Sequence, residues 1–181
     1  AYAREMQTPE QGEGLDGLLR HRRPVVSGIV NGIDTATWDP EHDPYLPEPF
    51  SVSSLVGKRA AKRALLKEYG LATDDTALRR PVVGMVSRMV DQKGLDLIRE
   101  ARSSLVGLGA TFTVLGTGAA VHEGMWRELA AAHPGQFGVR IGFDEKLAHL
   151  IEGGADLFLM PSRFEPCGLN QMYSMRYGTI P

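Results

Sequence analysis

Residues 156–170 read DLFLMPSRFEPCGLN. Leu157 to Met160 is an apolar run that, with Asp156 before it, reads as a buried strand, and Pro161 stops it. A charged loop follows, and the Pro166-Cys167-Gly168 turn leads into a helix that starts at Leu169. In an open parallel sheet, ligands bind outside the carboxyl ends of such strands. Glu165 sits in this loop between Phe164 and Pro166, close in sequence to the amides of Gly168, Leu169 and Asn170 that would open the helix. A carboxylate beside a helix N-terminus suggests a sugar-hydroxyl or ribose contact next to an anion site.

Upstream of this stretch the same rhythm repeats. Val82 to Ser87, Thr111 to Leu115 and Phe137 to Ile141 read as strands. Gly94 to Val106, Ala119 to Ala132, Glu145 to Ile151 and Leu169 to Tyr177 read as helices. Strand and helix alternate four times with short connections, which is the pattern of a βαβ series. The fold class is therefore α/β, with a Rossmann-like, doubly wound parallel sheet. Before this series, Leu55 to Tyr69 reads as a basic helix closed by Gly70. Residues 34–49 are rich in Asp, Glu, Pro and His, so they form neither a helix nor an inner strand but a connector held down by Trp38 and Tyr45. Val25 to Val30 is β-branched and ends at Asn31-Gly32, so it reads as a further strand.

Composition bounds the function classes. At 181 residues the chain can hold one full core, or one domain with part of another. A formal net charge of −2 gives no electrostatic case for nucleic acid or an anionic membrane. The one cysteine, Cys167, excludes an internal disulfide and fits a reducing compartment. No window approaches a membrane-spanning apolar run and no signal-peptide core is present, so the expected location is the cytoplasm. The chain starts without Met and stops at Pro181 in what reads as mid-element, so it reads as a piece of something larger.

Three loops at the strand ends carry candidate chemistry. Arg88 and Lys93 flank the turn after the first strand and can converge on a diphosphate, Arg as a planar fork and Lys as a point charge; alternatively both are solvated surface charges. Gly116-Thr117-Gly118 is a lone Gly-x-Gly, as compatible with a bare tight turn as with a ligand loop. Phe143 can stack on a base from the loop after the third strand, or it can be a core residue, with Asp144 as a helix cap in either case. Cys167 near a helix start can be read as a nucleophile, but no His is placed to serve it, which favours a small packing or ligand-wall residue. No Cys/His spacing suits a metal.

Taken together, these words resemble bacterial glycogen synthase and plant starch synthase, retaining glycosyltransferases that use ADP-glucose. The shared words include Gly28-Ile29-Val30-Asn31-Gly32-Ile33-Asp34, Trp38-Asp39-Pro40, Ser87-Arg88, Gln92-Lys93-Gly94-Leu95-Asp96, Gly116-Thr117-Gly118 and Ser162 to Leu169. The resemblance implies a GT-B fold, in which residues 1–31 end the acceptor-side domain, 32–50 connect, and 51–181 form most of the donor-side domain. It implies that ADP-glucose is the donor, an α-1,4-glucan the acceptor, and that no metal or other cofactor is needed. By the same resemblance Arg88 and Lys93 hold the diphosphate, Glu165 contacts the glucosyl unit, and Phe143 stacks on adenine. Cys167, Gly168, Leu169 and Asn170 then line the donor pocket. A related enzyme using UDP-glucose and a non-catalytic nucleotide-sugar module remain as alternatives. The sequence departs from the family at Phe143, where Tyr is common, at Asn170, where Thr is usual, and at Tyr173, where the wider GT-B pattern has a second acid. The family's Lys-Thr-Gly-Gly-Leu loop is not in these 181 residues.

Overall fold

The computed structural model describes residues 2–181, which divide into two compact units. The first comprises residues up to Gly32 together with Glu165–Gly168, and the second comprises Ile33–Phe164 with Leu169–Pro181.

In the first unit, α1 (Tyr2–Glu5) and α2 (Asp16–His21) are short helices. Arg20 links them: it pairs with Asp16 at 2.7 Å, one turn back on α2, and donates to the Gln7 carbonyl at 2.9 Å. A 3-10 turn over Arg23–Val25 then gives way to irregular chain. The strand expected over Val25 to Val30 does not form. β-branched residues favour extended backbone, but a strand also needs a ladder partner, and among the described residues none pairs with this segment. Val25, Ile29 and Val30 are exposed instead.

The second unit is the α/β core. In chain order it contains α3 (Val56–Glu68), α4 (Asp75–Arg79), β1 (Val82–Met89), α5 (Leu95–Gly107), β2 (Thr111–Gly118), α6 (Ala120–Ala132), β3 (Phe137–Ile141), α7 (Glu145–Gly154), β4 (Leu157–Phe158) and α8 (Leu169–Arg176). The four strands are parallel in the order β3-β2-β1-β4. The chain steps outward from β1 to β2 to β3, then returns to lay β4 on the far side of β1. That reversal defines a doubly wound sheet and leaves a crevice at its carboxyl edge. Helix α4 was not expected from the pattern; it is five residues long and is nucleated by Asp74, whose carboxylate accepts from the Thr76 and Ala77 amides.

Strand alternation sorts the core into two layers. Val82, Leu115 and Phe158 face Leu65, Leu66 and Ile151 of α3 and α7, whereas Val83, Met85, Phe112 and Val114 face Ile98, Met125 and Trp126 of α5 and α6. Gly84 allows a close helix approach, since a Cβ there would lie 2.6 Å from Ile151 Cγ2. Helix α3 is further tied to the start of the sheet by Lys62, which is 8% exposed: its ammonium bonds Asp156 at 2.6 Å and the Arg80 carbonyl at 2.8 Å.

Residues 33–50 have no regular structure, yet they are fastened to the second unit. The Trp38 indole lies between the rings of His149 and Tyr173, with centroid separations of 3.8 and 3.9 Å. Asp43, whose side chain is wholly enclosed, accepts from the Tyr45 amide at 2.8 Å and from the Tyr177 hydroxyl, and bonds His149 Nδ1 at 2.8 Å. Arg176 adds an ion pair with Asp39 at 2.9 Å. Among the described residues no helix is long and apolar enough to cross a membrane.

Candidate functional site

A cavity of about 320 Å³ opens at the carboxyl ends of the strands. Its wall is built element by element. The end of β1 supplies Val86, Ser87 and Arg88; the turn beyond supplies Lys93; the end of β2 supplies Leu115, Gly116 and Thr117; and the loop after β3 supplies Gly142, Phe143 and Asp144. Ala148 of α7 and Asn170 in the first turn of α8 complete it. Of the residues singled out in the sequence, Arg88, Lys93, Phe143 and Asn170 thus share one cavity.

Each is positioned by local structure. Arg88 continues β1, in register with Thr117 of β2. Lys93 ends a 3-10 turn, Asp91–Lys93, and Gly94 follows at φ 70°. A side chain at Gly94 would be strained in φ and would bring its Cβ to 2.1 Å from the Pro161 carbonyl oxygen. The loop after β4 is therefore packed directly on the Lys93 turn. It is also stitched to it: the Arg163 amide donates to the Gln92 carbonyl at 3.0 Å, Gln92 Nε2 donates to the Phe164 carbonyl at 3.3 Å, and the Arg163 guanidinium forms a two-pronged pair with Asp96. That bond from Arg163 holds the Asp96 carboxyl below its usual range.

Phe143 is 91% exposed, so it is no core residue; its ring is presented at the cavity. Asp144 caps α7 by accepting from the Leu147 amide at 2.9 Å and pairs with Arg140 at 3.2 Å. Asn170 Nδ2 donates to the Val86 carbonyl at 2.7 Å, fixing the start of α8 against the end of β1.

The remaining candidates lie elsewhere in the chain's organisation. Glu165, Cys167 and Gly168 belong to the first unit, while Leu169 is the first residue of α8. Within the first unit the half-buried Cys167 has its thiol 3.7 Å from the Asn31 carbonyl oxygen, a weak hydrogen bond. Gly168 is buried and takes φ 75°.

Two polar links near the cavity were not legible in the sequence. Glu123 of α6 accepts from Thr117 Oγ1 and from the Gly118 amide, fastening the turn that precedes the helix, whose N-cap Ala119 has no side-chain cap. His122, 1% exposed, bonds Asp91 Oδ1 at 2.8 Å and so ties the Lys93 turn to α6. The available signal was small: an acid in the first helical turn after a Gly-x-Gly that lacks a capping residue.

No protein-family model matches the chain. Comparison with individual proteins is clear. The glycogen synthase of Anaeromyxobacter dehalogenans is 53% identical over 180 residues, covering 99% of this chain and 37% of that protein. The glycogen synthase of Halorhodospira halophila is 54% identical over the same share of both chains. Among solved structures, the catalytic domain of starch synthase IV from Arabidopsis thaliana, bound to ADP and acarbose, matches with a TM-score of 0.89 and 41% identity, over 99% of this chain and 37% of that one. Along its whole length the chain is a homologue of glycogen and starch synthases, shares their α/β fold, and spans about 37% of the length of the relatives it matches.

Proposed function

We propose that the protein carrying this chain is a retaining glycosyltransferase that moves glucose from ADP-glucose to the non-reducing end of an α-1,4-glucan, and that this chain supplies its donor pocket. The observation that carries the reading is the meeting of Arg88, Lys93, Phe143 and Asn170 around one cavity at the sheet's carboxyl edge, in a chain 53% identical to a glycogen synthase. A nucleoside diphosphate has three features to satisfy: a flat base, a ribose and two phosphates. Phe143 offers a ring face for the base, and Arg88 with Lys93 offers two cations for the phosphates.

When the glycosidic bond to the donor breaks, negative charge gathers on the leaving diphosphate oxygen. Cations held in place before the reaction stabilise that charge without the cost of reorganising solvent. The reading therefore calls on no metal ion. Glu165 is assigned to the glucosyl unit, with Cys167, Gly168 and Leu169 as neighbouring wall. The starch synthase IV structure that this chain matches was bound to ADP and acarbose, which supports a nucleotide and a glucan as ligands.

The test is a calorimetric titration of the full-length protein with ADP and with adenosine. Arg88→Ala or Lys93→Ala should weaken ADP about tenfold or more, the loss of one charge-assisted bond, while changing adenosine less than about twofold. Equal losses for both ligands would assign these side chains to the fold instead. Transfer of labelled glucose to glycogen from ADP-glucose in preference to UDP-glucose tests the donor directly.

A further inference from the structure

A Gly-x-Gly turn that runs from a strand into a helix is a common phosphate cradle, because backbone amides and the helix dipole converge on one point. At Gly116-Thr117-Gly118 three donors of the turn are already engaged. The Gly118 amide donates to Glu123 Oε1 at 3.0 Å, and the Thr117 hydroxyl donates to the same oxygen at 2.7 Å. The Ala119 amide donates to the Met89 carbonyl at 2.8 Å. The other Glu123 oxygen takes Arg127 Nη2 at 3.0 Å. The Gly118 amide foremost, then the Thr117 hydroxyl, holds the Glu123 carboxyl below its ordinary range. A carboxylate therefore stands behind the turn at neutral pH.

A threonine hydroxyl has one proton and two lone pairs. With its proton directed to Glu123, Thr117 Oγ1 can offer the cavity only acceptor capacity. A phosphate oxygen is itself an acceptor, so it finds no donor at Thr117 Oγ1. A ligand hydroxyl or amino group would be received.

We propose that Glu123 is a specificity-determining positioning residue: acting through Thr117 and Gly118, it makes this edge of the cavity an acceptor-only wall that takes a neutral hydrogen-bond donor of the nucleoside, a ribose hydroxyl or a base amino group. The diphosphate is thereby left to the Arg88 and Lys93 side of the cavity. This assignment rests on the donor-pocket reading above and deepens it.

The experiment is calorimetric titration of the full-length protein with ADP, 2′-deoxy-ADP, 3′-deoxy-ADP and purine riboside diphosphate, which lacks the base amino group. Wild type should bind one of these analogues about 2- to 10-fold more weakly than ADP, the range of a single neutral hydrogen bond, and the analogue affected names the donor. Thr117→Val should weaken ADP by the same factor and leave that analogue unchanged, while Thr117→Ser, which keeps the hydroxyl, retains the wild-type preference. Glu123→Ala frees the hydroxyl proton while Oγ1 keeps its lone pairs, so Thr117 can then donate or accept and should discriminate less between ADP and that analogue, whereas Glu123→Gln, whose amide oxygen still accepts, should retain the full preference. If Thr117→Val weakens ADP and every analogue alike, or if Glu123→Ala keeps the wild-type preference, the inference is overturned while the pocket stands. Absence of ADP binding by the wild type would overturn the pocket reading and this inference with it.

Discussion

Replacing Asp43 by Ala is the most demanding test of the second unit. The side chain is fully enclosed and serves three groups at once: the Tyr45 amide, the Tyr177 hydroxyl and His149 Nδ1. Burial pushes its carboxyl up, but the bonds from His149, Tyr177 and the Tyr45 amide outweigh that and hold it below the usual carboxylate range. Alanine removes the acceptor that these three groups share, leaving the Tyr177 hydroxyl and His149 Nδ1 only each other at 3.4 Å. A buried polar group stripped of its partner costs about 1–3 kcal/mol, and here several such groups lose one shared acceptor. We expect Asp43→Ala to cost about 3–5 kcal/mol, which lowers Tm by roughly 6–20 °C in a chain of this size. Urea unfolding followed by tryptophan fluorescence suits the measurement, because the Trp38 indole stacks on His149 within the same cluster. The exposed pair Arg59–Asp75 provides the control; Asp75→Ala should cost no more than about 1 kcal/mol. The pH dependence has a defined sign. Since the native carboxyl titrates below its unfolded value of about 3.9, the stabilisation is present above that pH and disappears as pH falls through the lowered native value. A cost for Asp43→Ala below about 1 kcal/mol, indistinguishable from the control, would refute the account of how this cluster is held together.

Other expectations follow from single positions. Glu152 is 1% exposed, and burial pushes its carboxyl up to about 8. The native state thus keeps a proton that the unfolded chain releases near pH 4.3, so wild-type stability should fall as pH rises from about 5 to 8. Glu152→Gln should remove that slope, and stability curves that stay parallel over this window would contradict it. The comparison stops at pH 8 because Lys58, lowered to about 8 by its own burial, stabilises in the opposite sense above that pH. Gly94→Ala combines positive φ with a clash at the Pro161 carbonyl, and should cost at least about 2 kcal/mol. It should also speed hydrogen exchange at the Arg163 amide, whose acceptor is the Gln92 carbonyl; unchanged exchange would show that the two loops are independent.

The alternation of β1 to β4 with α5 to α8 was legible because each element carries its own periodicity, and periodicity is local. The failures among the strands are non-local. Val25 to Val30 has strand composition but no ladder to join, and β4 is held to Leu157–Phe158 because β1 pairs with it only at Val83 and Gly84. At the cavity, Arg88, Lys93 and Phe143 could be picked out because they follow strand ends, where a parallel sheet exposes its loops. Whether Phe143 faced a ligand or the core could not be decided from sequence, since both environments accept a phenyl ring. The Asp43–His149 bond joins residues 106 positions apart, and nothing local in either residue announces the other. Glu123 was hidden differently: one acid among several on an amphipathic helix becomes distinctive only once the turn before it is seen to lack a cap.

The fastening of residues 33–50 decides where this protein can be cut. Composition alone invites a boundary near Ser51, since the preceding stretch is rich in proline and charge. A truncation there would remove Trp38 and Asp43, baring one face of the His149 ring and leaving the Tyr177 hydroxyl without its acceptor. A truncation before Ile33 keeps the whole cluster. A version of the second unit made for crystallisation or ligand screening should therefore begin at Ile33, because what looks like a tether is part of the folded body.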